Sequence, residues 1–190
     1  MRTNPVRYDF DAACLEPKTL CSWLDIKGNY LGHEEAVTIG HPTQPPKKRG
    51  QGAGRSLKDG LLIAFGRTLI SMGITPQRVR VCVDAVRKKW HLIEPDDIDL
   101  DSDLLQSQPP DYFLLAGEEQ TGFKADLIPQ DKVLLAAGAM PGGAQSLRPR
   151  LFLNMSLFAL WMTQSLLRHM RGKGKELPMK KRGKKLPVKA

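Results

Sequence analysis

The chain has 190 residues, of which 41% are hydrophobic and 26% charged, with a net charge of +9 and a pI near 9.6. That length suits one globular domain with appendages, or two small domains, and the composition excludes wholesale disorder. Three cysteines without paired spacing (Cys14, Cys21 and Cys82) offer neither a disulfide framework nor a zinc signature, so a reducing compartment is expected.

The charge is unevenly placed. Between Lys47 and His91 stand 11 Lys and Arg against two acids, whereas Glu94 to Asp131 holds 11 acids against one Lys. From Arg171 to the end there are nine basic residues and one acid. Positive charge gathered into one folded stretch and one tail is the footprint of a polyanion-binding surface, although a tail of this kind also serves solubility alone. The acidic 94–131 region is a candidate docking site for a basic protein partner. The acids Asp9 and Asp11 and the absence of an apolar run near the N-terminus leave no secretory signal in the expectation. Leu151–Leu167 is apolar but is interrupted by Asn154, Ser156, Thr163, Gln164 and Ser165, and it falls short of the ~20 residues a membrane span needs. No membrane association is expected, and the expected location is the cytoplasm, in association with the nucleoid.

Residues 8–15 and 17–26 read as two short helices separated by a tight break. Pro17 suits a first helical position, where its missing N–H leaves nothing unpaired. Leu20, Trp23 and Leu24 make one apolar face, leaving Lys18, Thr19, Ser22 and Asp25 largely on the other. Residues 33–55 show no helical pattern, because His41-Pro42, Pro45-Pro46 and the glycines at 50, 52 and 54 interrupt any period. Lys47, Lys48, Arg49 and Arg55 make this stretch basic. Ser56 followed by Asp59 forms a capping-box pattern with Asp in place of the usual Glu. Leu57, Leu61, Ala64, Phe65, Leu69 and Met72 then repeat at helical spacing up to a stop at Gly73. Thr75 and Pro76 open a further helix with Val79, Cys82, Val83, Val86 and Trp90 inward, which makes Cys82 a core residue rather than a reactive one.

Glu94–Pro110 reads as an acidic linker. Tyr112–Ala116, Phe123–Leu127, Lys132–Ala136 and Leu147–Leu153 read as short strands, and Ser156–His169 as a helix apolar on more than one face. Everything after Met170 is expected to be disordered.

Catalytic chemistry requires convergent groups, and the four histidines share no metal-binding or acid–base spacing. The Gly50–Arg55 run is Gly-rich but follows no apolar strand, which argues against a nucleotide loop. The alternating acids from Asp96 to Asp103 lack the loop Gly and terminal Glu of a calcium loop. Neither an enzyme nor a cofactor is expected. Nucleic acid is the partner that the chemistry favours: a short helix with small polar and basic side chains outward fits a major groove, and a basic stretch beside it fits phosphates.

FDAACLEPKTLCSWLDIKGNYLG resembles the opening of MerR-type winged helix-turn-helix domains, in which a Thr-Leu-x-x-Trp/Tyr recognition helix follows a turn; here those positions are Thr19, Leu20 and Trp23. RGQGAGRSLKDGLLIAFGRTLISMGITPQRVRVCVDAVRKKW is similar to the second half of that domain, in which a basic wing leads to a Ser-capped helix, a Gly and another helix. The resemblance spans roughly residues 8–90 and rests on the order of elements. It departs at Cys21, where the family carries a phosphate-gripping Arg, and it lacks the long coiled-coil helix and Cys-rich end of metal-sensing members. It implies base or phosphate contacts at Lys18, Thr19 and Ser22, and wing contacts at Arg49 and Arg55.

The expected fold class is α+β, an N-terminal winged helix-turn-helix (mostly α) followed by a small C-terminal α+β region. The expected division is 1–92 for DNA binding, 93–110 for the linker, 111–170 for dimerisation or a partner, and 171–190 for a basic tail. The expected function is sequence-specific regulation of transcription on double-stranded DNA by a homodimer, in a bacterium or mobile element. The alternatives are a DNA-bending or recombination-directionality factor and an RNA- or partner-binding protein. Lys27, Lys47, Lys48, Lys180, Lys181, Arg182, Lys184 and Lys185 complete the expected DNA contacts, and Phe158 and Trp161 are the expected dimer contacts.

Overall fold

The computed structural model describes residues 7–40, 54–95, 98, 100, 111–119, 122–133 and 150–179. Its architecture is mixed helix and strand, as the α+β expectation has it. Helix α1 (Pro17–Leu24) begins with Pro17 in its first turn and ends at Asp25, whose φ of 50° is left-handed. The stretch before it is not the expected helix over 8–15. Asp9 Oδ1 accepts from the backbone N–H groups of Asp11 and Ala12, at 3.2 and 3.1 Å, and this local turn competes with helical bonding. Ala13–Leu15 then forms strand β1, which pairs antiparallel with β2 (Arg55–Ser56).

A second difference follows. Helix α2 (Leu31–Thr38), introduced by a 3-10 turn at Gly28–Tyr30, occupies residues expected to be irregular. Its buried residues Leu31, Glu35 and Thr38 stand at i, i+4 and i+7, one helical face, but two of the three are polar and so left no apolar period to read. That face lies on helix α3 (Leu57–Ser71) at Gly66, where a Cβ would come within 2.7 Å of Thr38 Cβ. Only a glycine permits that approach.

The expected cap of α3 is present. Ser56 Oγ accepts from the Asp59 N–H at 3.0 Å and Asp59 Oδ2 accepts from the Ser56 N–H at 3.3 Å. Gly73, at φ 84°, turns the chain, and Pro76 opens α4 (Pro76–Lys88). Val79, Cys82, Val83, Val86 and Trp90 are all buried, as their spacing requires.

Strands β3 (Tyr112–Glu119), β4 (Gly122–Pro129) and β5 (Arg150–Asn154) form an antiparallel sheet in the order β4-β3-β5. Residues 130–133 are helical, so the strand expected over Lys132–Ala136 does not form at its start, and its remainder lies outside the described residues. Asn154 caps α5 (Met155–Gly172), its side chain accepting from the Leu157 N–H at 2.9 Å.

Among the described residues, buried side chains from both sides of residue 92 pack in one cluster. Leu57, Leu61 and Val83 belong to one buried cluster with Leu114, Leu127, Leu160 and Leu167. Within the expected linker, Ile98 is buried and the Leu100 carbonyl accepts from Arg168 Nε at 3.0 Å. The expected disorder after Met170 does not begin there: Met179 bridges Tyr8, and the Asp9 N–H donates to the Pro178 carbonyl at 2.6 Å. Leu177 packs against the core, which repays part of the cost of ordering this segment.

Candidate nucleic-acid interface

Folding redistributes the charge. Eight of the 11 basic residues between Lys47 and His91 are among the described residues, and seven of those eight have partners inside the protein. Arg67 pairs with Glu34 at 3.3 Å, Lys58 with Asp11 at 3.8 Å, and Arg87 with Asp84 at 3.5 Å. Arg78 pairs with Glu118 and lies over the Phe123 ring, 5.3 Å from its centroid. Lys89 reaches Asp126 at 2.6 Å and the Leu127 carbonyl at 3.2 Å. These contacts tie α4 to the sheet, so Glu118 and Asp126 of the acidic region are turned toward the protein's own cations. For those two acids, the expected role of docking a separate basic partner is corrected.

Arg55 is corrected as well. It is 8% exposed, and its guanidinium grips the Glu35 carboxylate with both Nε and Nη2, the latter at 2.7 Å. A guanidinium committed to a buried bidentate pair is not free to contact a phosphate. Thr19 is 7% exposed and faces the core, so it cannot contact a base edge from this position. Lys18, Ser22 and Lys27 are exposed. Lys18, Ser22 and Asp25 follow one another at helical spacing, giving α1 a short polar stripe on the side away from Leu20. The helix is anchored by Trp23, whose indole N–H donates to Ser165 Oγ on α5 at 3.1 Å.

Lys47, Lys48 and Arg49 lie outside the described residues, as do Lys180, Lys181, Arg182, Lys184 and Lys185. The places where these two segments join the folded body are described. The first resumes at Gly54, beside Ala13, and passes into β2 against β1. The second departs at Met179, against Tyr8, while Lys175 pairs with Glu16 at 3.0 Å at the entrance to α1. Both junctions therefore fall on one short stretch of chain, Tyr8 to Leu15, immediately before α1.

The two expected dimer contacts are separated. Phe158 stacks edge-on to Phe65, with centroids 5.5 Å apart, and so is committed to packing within the subunit. Trp161 is 67% exposed. Burial pushes the thiols of Cys14 and Cys82 up to about 11, and desolvation also raises that of Cys21. Among the described residues no group of three or more His, Cys, Asp or Glu is placed to hold a metal ion, and no helix is long and apolar enough to cross a membrane.

Sequence reasoning missed Glu35. A signal was present: Glu34 and Glu35 are the two acids between Asp25 and Asp59, in a stretch otherwise surrounded by Lys and Arg. No protein-family model matches the chain, and no curated protein matches it.

Proposed function

We propose that the protein binds double-stranded DNA as a dimeric regulator, with the exposed stripe of α1 toward the groove and the 41–53 and 180–190 segments on the phosphates. The observation that carries this reading is the convergence of the two segment junctions on Tyr8–Leu15. Tyr8 and Ala13 are five residues apart, which extended chain spans in at most about 17 Å. That length of duplex presents about 10 phosphates. The two segments that join the body there carry eight cations, Lys47, Lys48, Arg49, Lys180, Lys181, Arg182, Lys184 and Lys185. Charge supply and phosphate supply are comparable. In this reading α1 retains the recognition role that the MerR-like resemblance implies, with Lys18 and Ser22 outward, and 41–53 serves as the wing between α2 and β2. The support drawn from the total charge of residues 47–91 is smaller than the sequence suggests, because most of those cations are paired internally.

The test is the salt dependence of duplex binding, read by fluorescence anisotropy. Replacing Lys47, Lys48 and Arg49 together by Gln should flatten the slope of log K against log salt by about 0.9 per lost phosphate contact, or about 2.7 for three. An unchanged slope, or retention on RNA without retention on duplex DNA, would overturn the proposal.

A further inference from the structure

Between α1 and α2 the chain runs through an exposed turn, Lys27 to Tyr30, that is fixed from both sides. Before it, the Ile26 N–H donates to the Cys21 carbonyl at 3.0 Å; within it, the Tyr30 N–H donates to the Lys27 carbonyl at 2.9 Å. The next residue, Leu31, is buried and its N–H donates to the Gly28 carbonyl. Tyr30 itself is 54% exposed. Its backbone is therefore held by others while much of its ring stays in water. A Cβ at Gly28 or Gly32, on either side of it in the chain, would meet nothing within 4 Å, so the flanks of the turn are open.

Charge in this stretch is one-sided. From Glu16 to Glu35 there are four acids, and three are paired inside the protein: Glu16 with Lys175, Glu34 with Arg67 and Glu35 with Arg55. Asp25 is the exposed fourth. Lys18 and Lys27, the two lysines of the same stretch, are exposed and have no ion-pair partner among the described residues. Folding thus neutralises most of the acids here and leaves the lysines free, which suits a phosphate backbone. The setting of Tyr30 also differs from that of Trp161. Trp161 stands one helical turn from the exposed Leu157, an apolar setting of the kind found at the centre of a protein interface. Tyr30 has Lys27, Asn29 and His33, all exposed, near it in the chain. An aromatic ring among cationic and amide groups matches a base edge, where apolar surface meets the thymine methyl and polar groups meet the donors and acceptors. We infer that Tyr30 is a specificity-determining residue of the DNA interface, its ring on a base edge in the major groove, with Lys18 and Lys27 on neighbouring phosphates. This role rests on the proposed binding of duplex DNA and adds a residue that reads sequence, since Lys18 and Ser22 of α1 suit phosphates.

The full chain is used to select preferred duplexes from a random-sequence pool, and affinities for a selected and an unselected duplex are then compared by anisotropy. Tyr30→Ala should lower the ratio of the two affinities about fivefold or more, the scale of one base contact. Its salt slope should be unchanged, since no cation is lost. Its melting temperature should stay near that of the wild type, because backbone bonds hold the turn. Tyr30→Phe, which keeps the ring, should retain most of the ratio. Tyr30→Gln, which keeps bulk without the ring, should behave like the alanine variant and covers the case in which that one fails to fold. Lys27→Gln should do the reverse, keeping the ratio and flattening the slope by about 0.9. If the wild type discriminates and the folded Tyr30→Ala protein discriminates equally well, Tyr30 does not read bases, and the DNA reading survives. A wild type that binds every duplex alike would also remove Tyr30 as a reader while leaving DNA binding in place. A wild type that binds no duplex would overturn both.

Discussion

Gly66→Ala decides whether α2 is docked as described, because the two possible answers have opposite signs. In a helix facing solvent, Ala in place of Gly stabilises by about 1 kcal/mol through backbone entropy. Here the new Cβ would lie 2.7 Å from Thr38 Cβ and closer still to Thr38 Cγ2. Rotating the Thr38 side chain moves Cγ2 but not Cβ, and Thr38 Oγ1 is already donating to the Glu34 carbonyl at 2.6 Å. Relief therefore requires α2 and α3 to move apart, which belongs at the upper end of overpacking costs, about 3 kcal/mol. Subtracting the helix-propensity gain leaves a net loss of about 2 kcal/mol. For a chain of this size that corresponds to a fall in melting temperature of about 4–8 °C. Denaturant unfolding followed by circular dichroism measures it directly. Adding Thr38→Ala should recover part of the loss, since it removes Cγ2 and leaves Cβ in place. A Gly66→Ala protein more stable than the wild type would mean that Leu31–Thr38 does not pack on α3, and the pairing of Glu35 with Arg55 would be in question with it.

Trp161→Glu separates a dimer surface from a merely exposed side chain: if a second copy covers Trp161, the variant should be a folded monomer with reduced DNA affinity by light scattering and anisotropy. A wild-type protein that stays monomeric at tens of micromolar, with and without DNA, would refute the dimer. The cysteines give a pH prediction with a definite sign. An exposed thiol ionises near 9, whereas Cys14 and Cys82 in the folded protein require about 11, so unfolding above pH 9 releases protons. Stability contributed by keeping these thiols neutral is therefore complete below pH 9 and is lost as pH rises from 9 to 11, which a series of melting curves reads. At pH 8 the native protein should react with a thiol reagent far more slowly at Cys82 than the unfolded chain does, and fast native labelling there would show that α4 does not bury it.

Sequence alone was sufficient for what adjacent residues settle among themselves. The Ser56/Asp59 cap, the Gly73 turn and the Pro76 helix start are contacts made within a few residues, and they stand where the pattern put them. The apolar stripes of α3 and α4, the strands over Tyr112–Ala116 and Phe123–Leu127, and the helix after Asn154 were legible for the same reason, since burial period is written along the chain. Residues 8–15 went the other way: a helix-compatible stretch was drawn into β1 because β2, some 40 residues on, supplies its partner. Helix α2 was hidden because its inward face is partly polar, and it becomes intelligible only once Gly66 and Arg55 are beside it. The charge argument shows the limit most plainly. Sequence counts the cations of residues 47–91, but only tertiary structure says which are paired, because Arg55–Glu35, Arg67–Glu34, Arg78–Glu118 and Lys89–Asp126 close over separations of 20 to 40 residues. Coulomb attraction depends on distance in space, and local sequence carries no record of that distance until the core has brought the elements together.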